Sequence, residues 1–296
     1  MKFRLGTRGS RLALAQARKV ADQMRQLHSG LGVELVVIRT AGDVRSEFGD
    51  EVPTVVGEFS SALEEALFKS EIDGAVHSAK DLPTVIPESL VVGAYPERVD
   101  PRDAWVFRAG ETFSLNSSGW VGTESPRRRL FWGEHWPQTQ FRTIRGNVDR
   151  RMERCRQEKE WSGVLLACAG IDRLGGVMDG LVMERLDIPW MIPAPGQGAL
   201  AVQCRRDDRK AVEMLSRLDD PDVRSCVSAE KSFLQNWGGG CSESLGALAR
   251  IQPNGTLHLQ AGVKNRFDRP QRASLEGPVR EAEMVGARLA EEMRRG

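Results

Sequence analysis

The chain has 296 residues, 40% of them hydrophobic, enough for a substantial core but more than one ordinary domain holds, so two or three domains are expected. Its 42 basic and 41 acidic residues leave a formal net charge of +1, which offers no global attraction to nucleic acid or an anionic membrane and confines any anion site to local clusters. Charges in Met1-Lys2-Phe3-Arg4-Leu5-Gly6 interrupt the apolar core that a secretory signal needs, and no apolar run reaches membrane-spanning length; five cysteines without a CxxC pair and four scattered histidines argue against a disulfide framework or a metal cluster. A cytoplasmic protein is expected.

The N-terminal segment reads as strand Phe3 to Leu5, loop Gly6-Thr7-Arg8-Gly9-Ser10, then a helix with apolar Ala13, Ala17, Val20, Met24 and Leu27 on one face and Ser10 as its N-cap. A strand over Val33 to Ile38, a helical run over Ala62 to Phe68 and a short strand Gly74-Ala75-Val76 follow, an alternation that predicts an α/β domain with a largely parallel sheet. Ser61 and Glu64 have the spacing of a capping box. Two internal echoes follow. Leu5-Gly6-Thr7-Arg8 resembles Val121-Gly122-Thr123-Glu124, and the run from Asp73 to Leu82 can be laid beside that from Ser162 to Leu174. Two related α/β domains around a cleft would explain both, and the cleft would be the natural ligand site. Past Gly196-Gln197-Gly198 the pattern changes. A charged helical run from Asp207 to Leu218, an alternating strand at Leu257-His258-Leu259-Gln260-Ala261 and an amphipathic helix from about Glu281 to Arg295 fit a smaller α+β domain.

Arginine clusters carry the strongest chemical signal. In Ser125-Pro126-Arg127-Arg128-Arg129, an N-cap serine and an N1 proline place cations in the first helical turn, where the helix dipole disfavours them unless an anion binds. A solvated basic face explains that segment equally well. Arg142, Arg145, Arg150, Arg151, Arg154 and Arg156 flank Gly146-Asn147 and strengthen the case for a polyanionic ligand. Balanced charge and the lack of interleaved aromatics favour a small substrate with several carboxylates over nucleic acid. Each charge-assisted hydrogen bond to it would contribute roughly 1.5 to 3 kcal/mol. Asp81, in His77-Ser78-Ala79-Lys80-Asp81-Leu82-Pro83, follows a buried-looking strand and could stabilise a developing cation, with Lys80 binding a carboxylate; alone, the pair reads more readily as a turn with a surface ion pair. Cys241 follows Gly238-Gly239-Gly240 and could reach into a cleft, although most free cysteines are packing residues, the reading given to Cys155, Cys168, Cys204 and Cys226.

Taken together, Gly6-Thr7-Arg8, Val76 to Pro83, Asp100-Pro101-Arg102-Asp103-Ala104, Arg145-Gly146-Asn147-Val148, Pro195-Gly196-Gln197-Gly198-Ala199 and Gly239-Gly240-Cys241 resemble the porphobilinogen deaminase (hydroxymethylbilane synthase) family along nearly the whole chain. The resemblance implies a transferase that joins four porphobilinogen molecules head to tail with loss of ammonia and hydrolyses the linear tetrapyrrole from a dipyrromethane cofactor. It implies a periplasmic-binding-protein-like pair of α/β domains, 1–97 with 196–216 and 98–195, plus an α+β domain 217–296. Cys241 matches the cofactor's thioether cysteine and Asp81 the catalytic carboxylate. Ser78, Lys80, Ser125, Arg127 and Arg128 match cofactor contacts, and Arg8, Arg145, Arg151 and Arg173 match positions that bind substrate acetate and propionate groups. No metal, nucleic acid or membrane partner is implied, and a monomer is expected.

One stretch departs from the family pattern. Thr54-Val55-Val56-Gly57-Glu58-Phe59-Ser60-Ser61 stands where a glycine- and lysine-bearing loop is usual, with Val56 and Ser61 at the lysine positions; Ser242-Glu243-Ser244 likewise replaces more apolar residues. Losing two cations and gaining Glu58 bears on substrate affinity and elongation. Two alternatives therefore stand beside the synthase: a diverged paralogue with an altered pyrrole substrate or elongation, and a non-catalytic carboxylate-binding protein.

Overall fold

The computed structural model describes residues 2–38, 58–111, 119–238 and 244–295. Within them the chain builds two five-stranded mixed sheets and one three-stranded antiparallel sheet. The first sheet contains β1 (Lys2–Thr7), β2 (Gly32–Val37), β3 (Gly74–Ser78) and β4 (Leu90–Ala94), completed from far along the chain by β10 (Leu200–Arg205) in the order β2-β1-β3-β10-β4. Helices α1 (Arg11–Leu27) and α2 (Glu58–Phe68) cover it. On one face Leu5, Val20, Met24, Val76 and Val202 share a core; on the other, Leu63, Leu67, Ile72 and Ala75 do. Ser10 caps α1 by accepting from Ala13 N, as its position in the sequence predicts.

β1 runs parallel to β2 and β3, whereas β10 runs antiparallel to both β3 and β4. The sheet is thus mixed rather than largely parallel, because its fifth strand returns from the other half of the molecule. The second sheet repeats the arrangement. It comprises β5 (Asp103–Arg108), β6 (Trp120–Gly122), β7 (Phe141–Arg142), β8 (Trp161–Ala167) and β9 (Leu181–Arg185) in the order β7-β6-β8-β5-β9. β6 is parallel to β7 and β8, and β5 is antiparallel to β8 and β9. Both sequence echoes fall on matching places in the two sheets, β1 with β6 and β3 with β8. Helices α3 (Pro126–His135), α4 (Val148–Gln157) and α5 (Cys168–Arg173) cover this sheet around buried Trp105, Trp132 and Trp161.

After α6 (Arg209–Ser216), helix α7 (Pro221–Trp237) leads to the antiparallel meander β11 (Leu245–Ile251), β12 (Thr256–Lys264) and β13 (Pro270–Pro278), closed by α8 (Ala282–Arg295). Phe233, Leu257, Leu259 and Leu289 form its core. Among the described residues no helix is long and apolar enough to cross a membrane. The expected capping box at Ser61 is not formed: α2 already begins at Glu58, so Ser61 lies inside the helix, and Glu64 instead accepts from Gln203 Nε2 at 3.0 Å.

One carboxylate joins the three sheets. Glu230 on α7, with 0% of its side chain exposed, receives Arg98 Nη1 at 2.6 Å and Nη2 at 3.1 Å. It also accepts Gly196 N at 2.6 Å and Ala249 N at 2.8 Å. Arg98 and Gly196 lie on the two segments that cross between the large sheets, and Ala249 lies on β11. A buried ion of this kind persists only because every lone pair is used. Glu230→Gln should leave the Arg98 guanidinium uncompensated and cost about 3 to 5 kcal/mol, seen as a lower thermal midpoint; an unchanged midpoint would show that the pair is dispensable.

Candidate active site

The site forms where strands of both large sheets end and the crossing segments pass between them, the usual position for reactive groups in α/β proteins. β3 runs out through Ser78 into a single 3₁₀ turn, Ala79–Asp81, followed by Leu82 and Pro83. Ala79 N donates to Ala199 O at 3.0 Å, tying the turn to the second crossing segment. Gly196 in that segment has φ +77°, and a Cβ there would meet the Ala79 carbonyl carbon and Lys80 N at 3.0 Å. Only glycine lets the two backbones approach so closely. Asp81, at the end of the turn, is exposed.

Lys80 lies against a polar knot between the sheets. Its Nζ donates to Gln197 Oε1 at 3.4 Å, and Gln197 Nε2 donates to Pro101 O at 2.7 Å and Asp103 Oδ1 at 3.1 Å. Asp103, at the start of β5, is fully buried and receives Arg127 Nη1 at 2.6 Å and Arg128 Nε at 2.9 Å. The remaining arginine donors also satisfy backbone: Arg127 Nη1 reaches Ile192 O and Arg128 Nη1 reaches Leu165 O. An anion beside the first turn of α3, one of the two readings of that segment, is therefore supplied in part by the protein itself. Ser125 caps that helix, accepting from Arg128 N at 3.4 Å, with Pro126 in the first turn. Burial pushes the Asp103 carboxyl upward, but Arg127 and Arg128 overcome it and hold the group well below the usual carboxylate range. Burial, opposed by Asp81 and aided by Arg128, lowers Lys80 to about 8.

Ser78, Arg8 and Arg173 adjoin this knot, whereas Arg145 and Arg151 are held by partners of their own in the second half of the molecule. Ser78 Oγ accepts Gln16 Nε2 at 3.1 Å, which fixes the end of β3 to α1. Arg8 follows β1 close to His77, whose imidazole is held neutral: burial, with Arg8 adding to it against Gln203, brings it to about 4. Arg173 Nη2 donates to Gly198 O at 2.7 Å. Its Nε is buried without a hydrogen-bond partner, and burial brings the guanidinium to about 10. Arg145 Nε pairs with Glu124 at 2.9 Å, and Arg151 Nε holds Gly146 O at 2.7 Å. A depressed ammonium and an orphaned buried guanidinium N–H both favour an added anion, so these residues fit the carboxylate groups of a dipyrromethane and a growing pyrrole chain.

Three more arginines of these clusters pair on the surface, Arg142 with Glu160, Arg154 with Glu158 and Arg156 with Glu153, while Arg129 Nη2 donates to Thr123 O and Thr143 Oγ1. Cys241 and the loop segment Pro53 to Gly57, with Val56, lie outside the described residues, as do Ser242 and Glu243. Asp103 and Gln197 are functional residues that motif spacing alone does not reveal; the run Ala104-Trp105-Val106-Phe107 marks a buried strand, so a charge at its head needs partners. Lys80 should carry its charge at pH 7 and lose it as pH rises through about 8, so kcat/KM for a carboxylate-bearing substrate should fall above that pH. Lys80→Arg, which stays charged, should remove the inflection from the pH profile; an inflection that survives would assign it to another group.

A family model described as "Porphobilinogen deaminase, dipyromethane cofactor binding domain" matches residues 3–213, and one described as "Porphobilinogen deaminase, C-terminal domain" matches residues 224–295. Porphobilinogen deaminase 1 of Streptomyces avermitilis is 42% identical over 310 residues, covering 98% of this chain and 94% of its own. Porphobilinogen deaminase of Roseiflexus sp. is 38% identical over 295 residues, with the same shares of both chains covered. The solved methionine-binding protein MetQ overlaps 73% of this chain and 89% of its own with a TM-score of 0.43 and 13% identity. With both family models matched and near-full-length relatives at about 40% identity, the chain belongs to the porphobilinogen deaminase family.

Proposed function

We propose that the protein is a hydroxymethylbilane synthase, a transferase that condenses four porphobilinogen molecules head to tail, releases ammonia at each addition and hydrolyses the linear tetrapyrrole. The observation that carries this reading is the exposed Asp81 carboxylate beside the depressed Lys80 ammonium, together with an Arg173 N–H that is buried without a hydrogen-bond partner. When bound, the dipyrromethane on Cys241 supplies the covalent attachment from which the finished chain is hydrolysed. Asp81 stabilises the azafulvenium-like cation that forms on porphobilinogen as ammonia leaves, an electrostatic task suited to a carboxylate fixed before charge develops. Lys80, Ser78, Ser125, Arg127 and Arg128 hold the cofactor, the two arginines contributing positive charge whose direction Asp103 fixes. Arg8, Arg145, Arg151 and Arg173 bind substrate carboxylates.

The corresponding domains are 1–97 with 196–216, 98–195 and 217–296. A monomer is the assembly we propose. A net charge of +1 speaks against a nucleic-acid partner. The free buried thiols Cys155, Cys168, Cys204 and Cys226 suit the reducing cytoplasm.

Intact mass of protein expressed in a host that makes the precursor should exceed the chain mass, and Cys241→Ser should abolish the increment. Incubation with porphobilinogen should consume it and produce a ladder of enzyme-bound pyrroles. Asp81→Ala should lower turnover by at least about 10²-fold. Bare protein mass would remove the cofactor assignment, and normal turnover of Asp81→Ala would remove the catalytic one.

A further inference from the structure

We propose that Lys231, on the domain that bears Cys241, is a positioning residue that sets the Asp81 carboxylate by holding the Leu82 carbonyl. The proposal rests on the role assigned to Asp81 above. The turn that ends in Asp81 is only three residues long, with the weak hydrogen-bond geometry of a 3₁₀ segment. Asp81 is exposed, so side-chain packing does not fix it. Its orientation depends on the peptides on either side.

Those peptides are held from α7. Val223 and Val227, one helical turn apart, pack in the same cluster as Ala79 and Leu82. Lys231 is the next residue on that face of the helix, at i+4 spacing from Val227. Where another apolar side chain would extend the stripe, the chain has an ammonium, and its Nζ donates to Leu82 O at 2.5 Å. A charge-assisted bond of that length fixes the plane of the peptide between Leu82 and Pro83, whose ring already restricts Leu82 to its extended conformation, with φ -77° and ψ 132°. The preceding helix residue, Glu230, holds Gly196 N at 2.6 Å, and Gly196 lies against the Ala79 and Lys80 backbone. Consecutive residues of α7 thus clamp the turn on both sides of Asp81. The same helix ends at Trp237 and Gly238, from which the sequence passes through Gly239 and Gly240 to Cys241. One rigid element therefore serves as the reference for both the carboxylate and the stem of the cysteine segment. A carboxylate displaced by about 1 Å loses catalysis, up to about 10²-fold, without losing carboxylate binding.

The test uses cofactor-loaded Lys231→Met and Lys231→Arg enzymes, alone and combined with Asp81→Ala. Intact mass, thermal midpoint, and kcat and KM for porphobilinogen are measured for each. Lys231→Met is expected to keep the added mass and to lose about tenfold in kcat with KM changed less than about twofold, and Lys231→Arg to recover most of the loss. In the Asp81→Ala background Lys231→Met should cost nothing more, because the group it positions is gone. Wild-type kcat in Lys231→Met overturns the proposal. So does a loss confined to KM or the midpoint, or one that persists undiminished beside Asp81→Ala. If Asp81→Ala alone keeps normal turnover, the role of Asp81 fails and takes this inference with it; an inactive Asp81→Ala beside a fully active Lys231→Met overturns the positioning alone.

Discussion

Burial of the Asp103 carboxylate is the constraint around which the site is arranged. A lone carboxylate at 0% exposure would be driven to its neutral form, and two buried arginines without an anion would be costlier still. Together they are tolerable, because Asp103, Arg127 and Arg128 saturate one another and the Ile192 and Leu165 carbonyls. Gln197 extends the same network to Lys80 in the other half of the molecule. Arg127, Arg128 and Lys80 are thereby fixed in direction before any ligand arrives. Preorganisation of this sort lets a cluster of like charges serve as a binding site instead of flying apart.

Local signals in the chain were good guides to the elements. Ser10 and Ser125 cap the helices their positions announce, and Ala17, Val20 and Met24 of the apolar stripe lie on the buried face of α1, whereas Leu27 at its end is exposed. The sheet's direction was not legible, because β10 joins β3 and β4 across a long stretch of intervening chain and no local pattern records which way a returning strand runs. Ser61 misled for a related reason: S-x-x-E spacing is a start signal only if the helix has not already begun, and α2 begins at Glu58. The short echoes between halves proved sounder than their length suggested, since both fall on equivalent strands of two sheets with the same order.

For the site, residue type was legible and pairing was not. The arginine excess pointed to anions, yet the fold divides it: Arg127 and Arg128 take an internal carboxylate, Arg142, Arg154 and Arg156 pair on the surface, and Arg173 keeps a buried N–H without a hydrogen-bond partner. Sequence distance hides such divisions, because Asp103 and Gln197 meet only after both crossing segments are in place. Glu230 and Lys231 were equally silent. Each reads as an ordinary charge on an amphipathic helix until its contacts with Gly196 and Leu82 are seen.

The returning strand also dictates an order of assembly. β10 occupies an interior place in the first sheet, between β3 and β4, so the strand that presents Asp81 keeps an open edge until the chain of the second sheet has been made. Loop closure over that span is slow, and unpaired edges invite wrong partners meanwhile. The second sheet has no such wait, since all its strands are consecutive from β5 to β9. During synthesis the later-made half can therefore become native first, and the N-terminal half is completed around it as its last strand arrives.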